Sequence, residues 1–377
     1  MHSARDPLFR VTGHSHDLPA CETARMTDHT PVPPVVDLPA GLAARIPGPA
    51  DIEPIVALVS AHEQAVKGSS GVDPSGLAAS VTGVGSWTRR QVVVEDSEGT
   101  LLAWASVHDR AAGRTVVDLT VHPDAADAAD ADAMAAALLA WAETTARAVA
   151  AARDLTATQL DASALAGDER QRGWLAEAGY RHTRTWLHLS RPVAAEEAQP
   201  GALPASRPGV HVRRVAEHED GLPLASDLQT VHQMLEESFT DHFNSYRESF
   251  PEFLQRLRED PGHRWDHWWI ASLDEEGVEV PAGALVSSVL PPDATGVRGS
   301  YIDYIGVHRR ARGRGVAKAL LHTVIADTAR RGRNRLDLEV DADSPTGADQ
   351  LYASMGWRPD YTTESWHRDI AVEEAGS

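Results

Sequence analysis

Apolar positions along this chain switch between two periods, and each switch marks a change of element. Residues 301–332, YIDYIGVHRRARGRGVAKALLHTVIADTARRG, open with Ile302, Tyr304, Ile305 and Val307 crowded together, as in a buried strand. They close with Val316, Ala319, Leu320 and Ile325 on one side of a helix. Residues 91–107 and 268–289 are each two apolar runs about an acidic, glycine-containing turn, a pattern that predicts hairpins. A short strand and a helical stretch precede each hairpin. After it comes a further strand, VVDLTVHPD at 116–124 or YIDYIGVHRR at 301–310, that feeds a long alanine-rich helix. Residues 174–191 and 351–370 then repeat a helix end, a glycine (Gly179, Gly356) and a closing strand.

The same series in the same order, twice, predicts a tandem duplication. The units run over 46–193 and 210–372, joined by a Pro/Ala-rich linker at 194–209. The fold class is α/β with a mixed sheet, and the two units are expected to pack against each other. Residues 1–45 lack periodicity and read as a disordered tail, with Met26 as a second candidate start.

Composition narrows the class. The 377 residues are 42% hydrophobic and 24% charged, as in a soluble globular protein. No apolar run reaches the ~20 residues of a membrane span. No signal-peptide core precedes the first unit, so the expected location is the cytoplasm. The single cysteine, Cys21, excludes an internal disulfide framework and a cysteine zinc site. A formal charge of −20 disfavours nucleic acid and anionic membranes as partners and suits a cationic, amine-bearing small molecule. No metal is expected, because His263 and His267 flank Trp265 without a third ligand at suitable spacing.

The join Arg310-Ala311-Arg312-Gly313-Arg314-Gly315 carries the chemistry. A helix N-terminus presents unpaired N–H groups and a partial positive charge. Glycines let the backbone approach phosphate oxygens, and arginines add charge-assisted bonds. The turn is therefore built to hold a pyrophosphate. It is neither a dinucleotide fingerprint, since Lys318 stands where the third glycine belongs, nor a Walker loop. Asp303 is an acid within an otherwise apolar strand. With strict alternation it shares a face with Ile305 and Val307, unless a bulge intervenes. It is a candidate base, or else a structural or substrate-binding acid.

Arg310-x-x-Gly313-x-Gly315 resembles the phosphate loop of the GNAT superfamily of N-acetyltransferases. Downstream, DLEVDADSPTGADQLYASMGW (337–357) resembles that family's fifth strand and the helix after it. The two-copy plan is similar to that of mycothiol synthase and other tandem GNAT proteins. The resemblance implies two GNAT-like domains, each a splayed, mostly antiparallel sheet flanked by helices. It implies acetyl-CoA as acyl donor and a primary amine of a small molecule as acceptor, the amine attacking directly. Ile305, Gly306 and Val307 would then pair with the pantetheine arm. Gly313, Arg314, Gly315, Val316 and Ala317, with Arg310 and Arg312, would face the pyrophosphate. Tyr352 matches the family's general acid, against a reading as a core aromatic. Ser344, a further cofactor-binding candidate, stands where many relatives have asparagine; with Pro345 it is the expected helix start. The segment 235–269 would cover the acceptor, with Glu237, Asp241, Phe243 and Tyr246 as substrate-binding candidates. Two alternatives stay open: acetylation of a cysteinyl pseudo-disaccharide, as in mycothiol synthase, and a non-catalytic acyl-CoA-binding module. The state is monomer or homodimer. The first unit has Asp124, Asp127, Asp130 and Asp132 in place of the loop, and reads as a degenerate copy.

Overall fold

The computed structural model describes residues 34–110, 113–125, 128–239, 248–344 and 347–372. Most of the expected tail, with Cys21 and Met26, lies outside them. The first half supplies β1 (Ala43–Arg45), α1 (Ile52–Lys67), α2 (Pro74–Val81), β2 (Arg89–Glu95), β3 (Leu101–Asp109), β4 (Arg114–Val121), α3 (Ala128–Ala152), β5 (Ala157–Leu165), α4 (Glu169–Glu177) and β6 (Arg181–Pro192). The second half repeats that order. It comprises β7 (Val210–Arg214), α5 (Ala225–Phe239), α6 (Phe250–Glu259), β8 (His263–Glu275), β9 (Val278–Leu290), β10 (Gly299–Val307), α7 (Val316–Arg330), β11 (Arg335–Asp341), α8 (Ala348–Ser354) and β12 (Arg358–Ala371).

The described strands form one sheet in the order β1-β2-β3-β4-β5-β12-β6-β11-β10-β9-β8-β7. All neighbours are antiparallel except β4–β5 and β10–β11. The two closing strands are exchanged. β6 pairs with β11, from Arg335↔Pro192 to Asp341↔Trp186. β12 pairs with β5, from Thr363↔Leu165 to Ala371↔Ala157. The two closing strands also pair with each other.

Local sequence explains the layers. In β11 the alternation buries Leu336, Leu338 and Val340 and turns Asp337 and Glu339 to the opposite face. The buried set meets Val316, Leu320, Leu321 and Val324 of α7, together with Leu189 of β6. On the other face of β8–β10, Val231 and Leu235 of α5 and Phe253 of α6 cover Trp268, Ala284 and Val286. Sheet residues covered on both faces read as continuous apolar runs, which is why β8 and β9 do not alternate. Ser249 and Glu252 form a capping box that starts α6, the Glu252 carboxylate accepting from the Ser249 N–H at 2.9 Å.

The segment 194–209 is not a free tether. Ala198 and Leu203 pack against the second half's core, and Glu197 accepts from Arg191 at 3.1 Å. No described helix is long and apolar enough to cross a membrane.

Leu189 belongs to the first half by sequence, yet it is 5% exposed within the second half's core. Leu189→Ala should destabilise the chain by about 2–5 kcal/mol. Calorimetry should show one thermal transition that moves as a whole. Two separate transitions, of which only one moves, would contradict the strand exchange.

Candidate active site

β10 and β11 pair only from Ser300↔Leu336 to Ile302↔Leu338, then part. Beyond that point β9 takes one edge of Tyr304–Val307, and no described strand takes the other. An extended ligand can add to such an edge as a strand does. The chain leaves β10 at His308, makes a 3₁₀ turn over Arg309–Ala311 and enters α7 from Gly315. Gly313 (φ 77°) and Gly315 (φ 93°) are both left-handed. At Gly315 a Cβ would also stand 2.8 Å from Cδ of Arg207. Gly315 offers the first turn of α7 no side-chain acceptor, so the amides of Val316 and Ala317 are left for a ligand. Arg310 donates to the Pro281 carbonyl at 2.9 Å, and Arg314 meets Glu275 at 3.3 Å, both at the surface. Exposed pairs of this kind contribute little and yield readily to phosphate. Arg312 sits in the extended step between them.

A bulge in β10 between Ile302 and Tyr304 changes the face that Asp303 occupies. Ile302, Ile305 and Val307 pack on the α7 side and Tyr304 on the α5/α6 side. Asp303 accepts from Ser288 Oγ at 3.1 Å, and Ser288 lies on the α5/α6 side, two residues from Val286. The acid therefore does not share a face with Ile305 and Val307, as strict alternation requires. The residue keeps some contact with solvent, yet its Oδ2 is enclosed and has no partner. Burial pushes the Asp303 carboxyl up to about 8, the Asp260 carboxylate adding to the shift while Ser288 and Arg256 oppose it.

Tyr352 projects from α8 with its ring 6% exposed and edge-on to Trp357, centroids 5.7 Å apart. The ring is a core aromatic. Its hydroxyl has no hydrogen-bond partner and is not sealed from solvent. Burial pushes that hydroxyl up to about 12. The helix does not start at Ser344. A turn closed by the Ser344 N–H on the Asp341 carbonyl, at 3.1 Å, occupies the residues after β11. The cap is Gly347, left-handed at φ 62°. Glu237 accepts from Gln233 at 2.8 Å and pairs with His308 at 3.3 Å, at the entry to the phosphate loop. Asp241, Phe243 and Tyr246 lie outside the described residues. Gly306 allows close packing of α5, since a Cβ there would stand 2.9 Å from Cβ of Ser238.

Residues 228–357, which hold the splay, the loop and Tyr352, match the Acetyltransferase (GNAT) family. This portion of the chain is similar to GNAT acetyltransferase domains. A mycothiol acetyltransferase of Jonesia denitrificans is 28% identical over 185 residues, 49% of this chain and 54% of that protein. The match thus spans about half the relative's length. A GCN5-related N-acetyltransferase from Sphaerobacter thermophilus has TM-score 0.69 at 24% identity, over 89% of this chain and 97% of that one. A tandem GNAT protein from the clavulanic acid biosynthesis pathway has TM-score 0.60 at 14% identity, over 89% and 100%. These two structures speak to the fold, which is that of two GNAT-like units in one chain.

The first half keeps the GNAT splay without the loop. β4 and β5 pair from Arg114↔Gln159 to Val117↔Ala162 and then part. The cavity there, about 320 Å³, is lined by His62, Leu119, Val121, Asp168, Gln171 and Trp174 among others. Gln171 Nε2 donates to the Leu119 carbonyl at 3.0 Å, filling from within a strand position that the second GNAT unit leaves open. Arg207, within the segment expected as a linker, escapes a sequence reading although its Nη1 donates to the Gly313 carbonyl of the loop at 2.9 Å. An arginine in a Pro-rich stretch gives no signal of its own; only the path of the segment over α7 brings it there. His211, Asp274 and Glu279 come close enough to share an ion, but they lie exposed at the β7–β9 edge, away from the splay.

The sign of the Asp303 shift yields a stability prediction. An unfolded aspartate titrates near ~4, so the folded state binds the extra proton between that value and about 8. The stability this proton confers is complete below ~4 and is lost as pH rises toward the folded value. Asp303→Asn mimics the protonated acid. Its melting temperature should exceed wild type at alkaline pH, with the difference vanishing in acid. A variant less stable than wild type at alkaline pH would count against an enclosed, unpaired carboxylate.

Proposed function

We propose that this chain is an acetyl-CoA-dependent N-acetyltransferase acting on a primary amine of a small molecule. In this reading the second half (210–372) is catalytic and the first (46–193) is a degenerate partner. One observation carries it: a single bulged strand, β10, presents an open edge, leads into a glycine-arginine loop and holds an acid whose Oδ2 has no partner. The residues fit the donor. The open edge suits an extended amide arm, and the left-handed Gly315 leaves the first amides of α7 without a side-chain acceptor, as a phosphate site needs.

When bound, acetyl-CoA supplies a thioester-activated acyl group. Asp303 takes a proton from the acceptor ammonium, and its elevated pKa makes it a stronger base than an ordinary aspartate. Tyr352 holds its proton throughout the neutral range, because burial disfavours the phenolate. That hydroxyl is available to protonate the departing thiolate. The arginine turn and the α7 amides position the donor's phosphates, and α5 walls the strand at Gly306. A second reading, the acetylation named by the mycothiol acetyltransferase relative, draws on the 28% identity over half of each chain.

Acetyl-CoA titrated into the protein should give one strong binding event, lost in Gly315→Glu, which sets a side chain on a left-handed backbone against Arg207 and adds a carboxylate to the loop. Tyr352→Phe should bind acetyl-CoA normally while thioester consumption falls roughly 10²-fold. Turnover near wild type in Tyr352→Phe would remove the tyrosine from the chemistry. Acetyl-CoA binding without consumption across amino acids, polyamines and aminoglycosides would favour a non-catalytic binding module.

A further inference from the structure

The β3–β4 hairpin of the first half reaches the acceptor side of the second. Arg110 closes that hairpin, its N–H donating to the Arg114 carbonyl at 3.0 Å. Asp109, the residue before it, pairs with Arg153 at 2.6 Å, and Arg153 reaches Glu252 of α6 at 3.8 Å, so Arg110 lies by the helix that carries Arg256. Arg256, Tyr304 and Glu248 of the second half and Arg89 of the first act on its charge. Tyr304 follows Asp303, and the bulge in β10 sets both on this face. Arg256 lies with its guanidinium 5.2 Å from the Tyr304 ring centroid, close enough to Asp303 to favour the ionised carboxylate.

Three of the four arginines here have carboxylates of their own. Glu248 accepts from both Nε (2.8 Å) and Nη2 (2.6 Å) of Arg256. Asp161 pairs with Arg114, and Glu259 with Arg89 at 2.8 Å. Arg110 has no ion pair or side-chain hydrogen bond, and its Nε is enclosed without a partner. Asp118 lies near it without forming a pair, and burial pushes that carboxyl up toward its neutral form. A half-buried guanidinium that forms no ion pair and whose Nε is enclosed without an acceptor is costly to hold in place. Burial and Arg256 both press Arg110 toward losing its proton. Such a group is retained against that cost when an anion from outside completes it.

We infer that the acceptor carries an oxyanion beside its amine, and that Arg110 of the first half, with Arg256 across the cleft, receives it while Asp303 receives the ammonium. The inference rests on the acetyltransferase reading for what happens to the amine; the anion site stands on Arg110 itself. Carboxylate and phosphate share the required chemistry. The substrate class is thus a small amino acid or amino phosphate, and the first half supplies selectivity rather than a second cofactor site.

The test pairs each anion with its neutral counterpart: leucine with leucinamide, and phosphoethanolamine with ethanolamine. Acetyl transfer and calorimetric binding are measured on the full chain. At least one anionic member should exceed its counterpart in kcat/KM through KM, by on the order of 10- to 100-fold. This should hold even though leucinamide has the more readily deprotonated amine. Whether leucine or phosphoethanolamine shows it identifies the oxyanion. Arg110→Gln should erase the preference and leave the acetyl-CoA affinity intact, while Arg110→Lys keeps most of it. Thermal stability of Arg110→Gln should hold or rise, since the group removed has no partner. Transfer to neutral amines at equal efficiency, unmoved by Arg110→Gln, overturns the anion site and leaves acetyl transfer standing. If no amine is acetylated, the transferase reading falls, and calorimetry decides the site. Anion binding lost in Arg110→Gln retains it; anion binding absent or unchanged removes it.

Discussion

Strand β6 lies between β12 and β11, and β12 lies between β5 and β6, so each half's sheet is completed by the other half's last strand. The main-chain bonds of β11, the strand that forms one wall of the splay, go to β6 on one side and to β10 on the other. Without β6, β11 would be an edge with unpaired N–H and C=O groups and an exposed apolar face. The cleft of the second half is therefore held open by a strand from the first. The first half is thereby structural to the second half's cleft.

The exchange also sets the electrostatics at the centre of the sheet. Polar residues of both halves meet there: His188 of β6 pairs with Glu339 of β11 at 2.8 Å and stacks on Tyr361 of β12, ring centroids 4.1 Å apart. Glu259 at the end of α6 accepts from Thr88 at 3.0 Å and Arg89 at 2.8 Å of the first half. These contacts bring the β3–β4 hairpin, with Arg110, toward the face where the bulge has placed Asp303. One extra residue in β10 thus has two consequences. It moves the acid off the α7 side, and it aims that acid at a surface built by both halves.

The halves diverge at the same place in the fold. In the second, glycines at 313 and 315 allow left-handed turns, and Arg207 braces the loop from outside. In the first, Asp124 stands in the turn after β4, and Gln171 bonds the carbonyl of Leu119. One main-chain position that an extended ligand could use is thereby occupied in the first half and open in the second.

Much of this was legible along the chain, for local reasons. The period changes, the repeated series of elements and the glycine-arginine join depend on neighbours within a few residues, and they determined the α/β class, the duplication and the loop. Asp303 stood out as an acid in an apolar strand, and Tyr352 through its family motif. The exchange of β6 and β12 was not legible, because either closing strand satisfies the same alternation beside either half. The face of Asp303 turned on a one-residue bulge, which period alone leaves open. The start of α8 moved to Gly347 because a turn after β11 used up the residues expected to cap it. Arg110, Arg207 and Arg256 are ordinary arginines in a chain whose basic residues are nearly all arginine. Their significance comes from which charges surround them, and long-range pairing in the tertiary structure alone decides that.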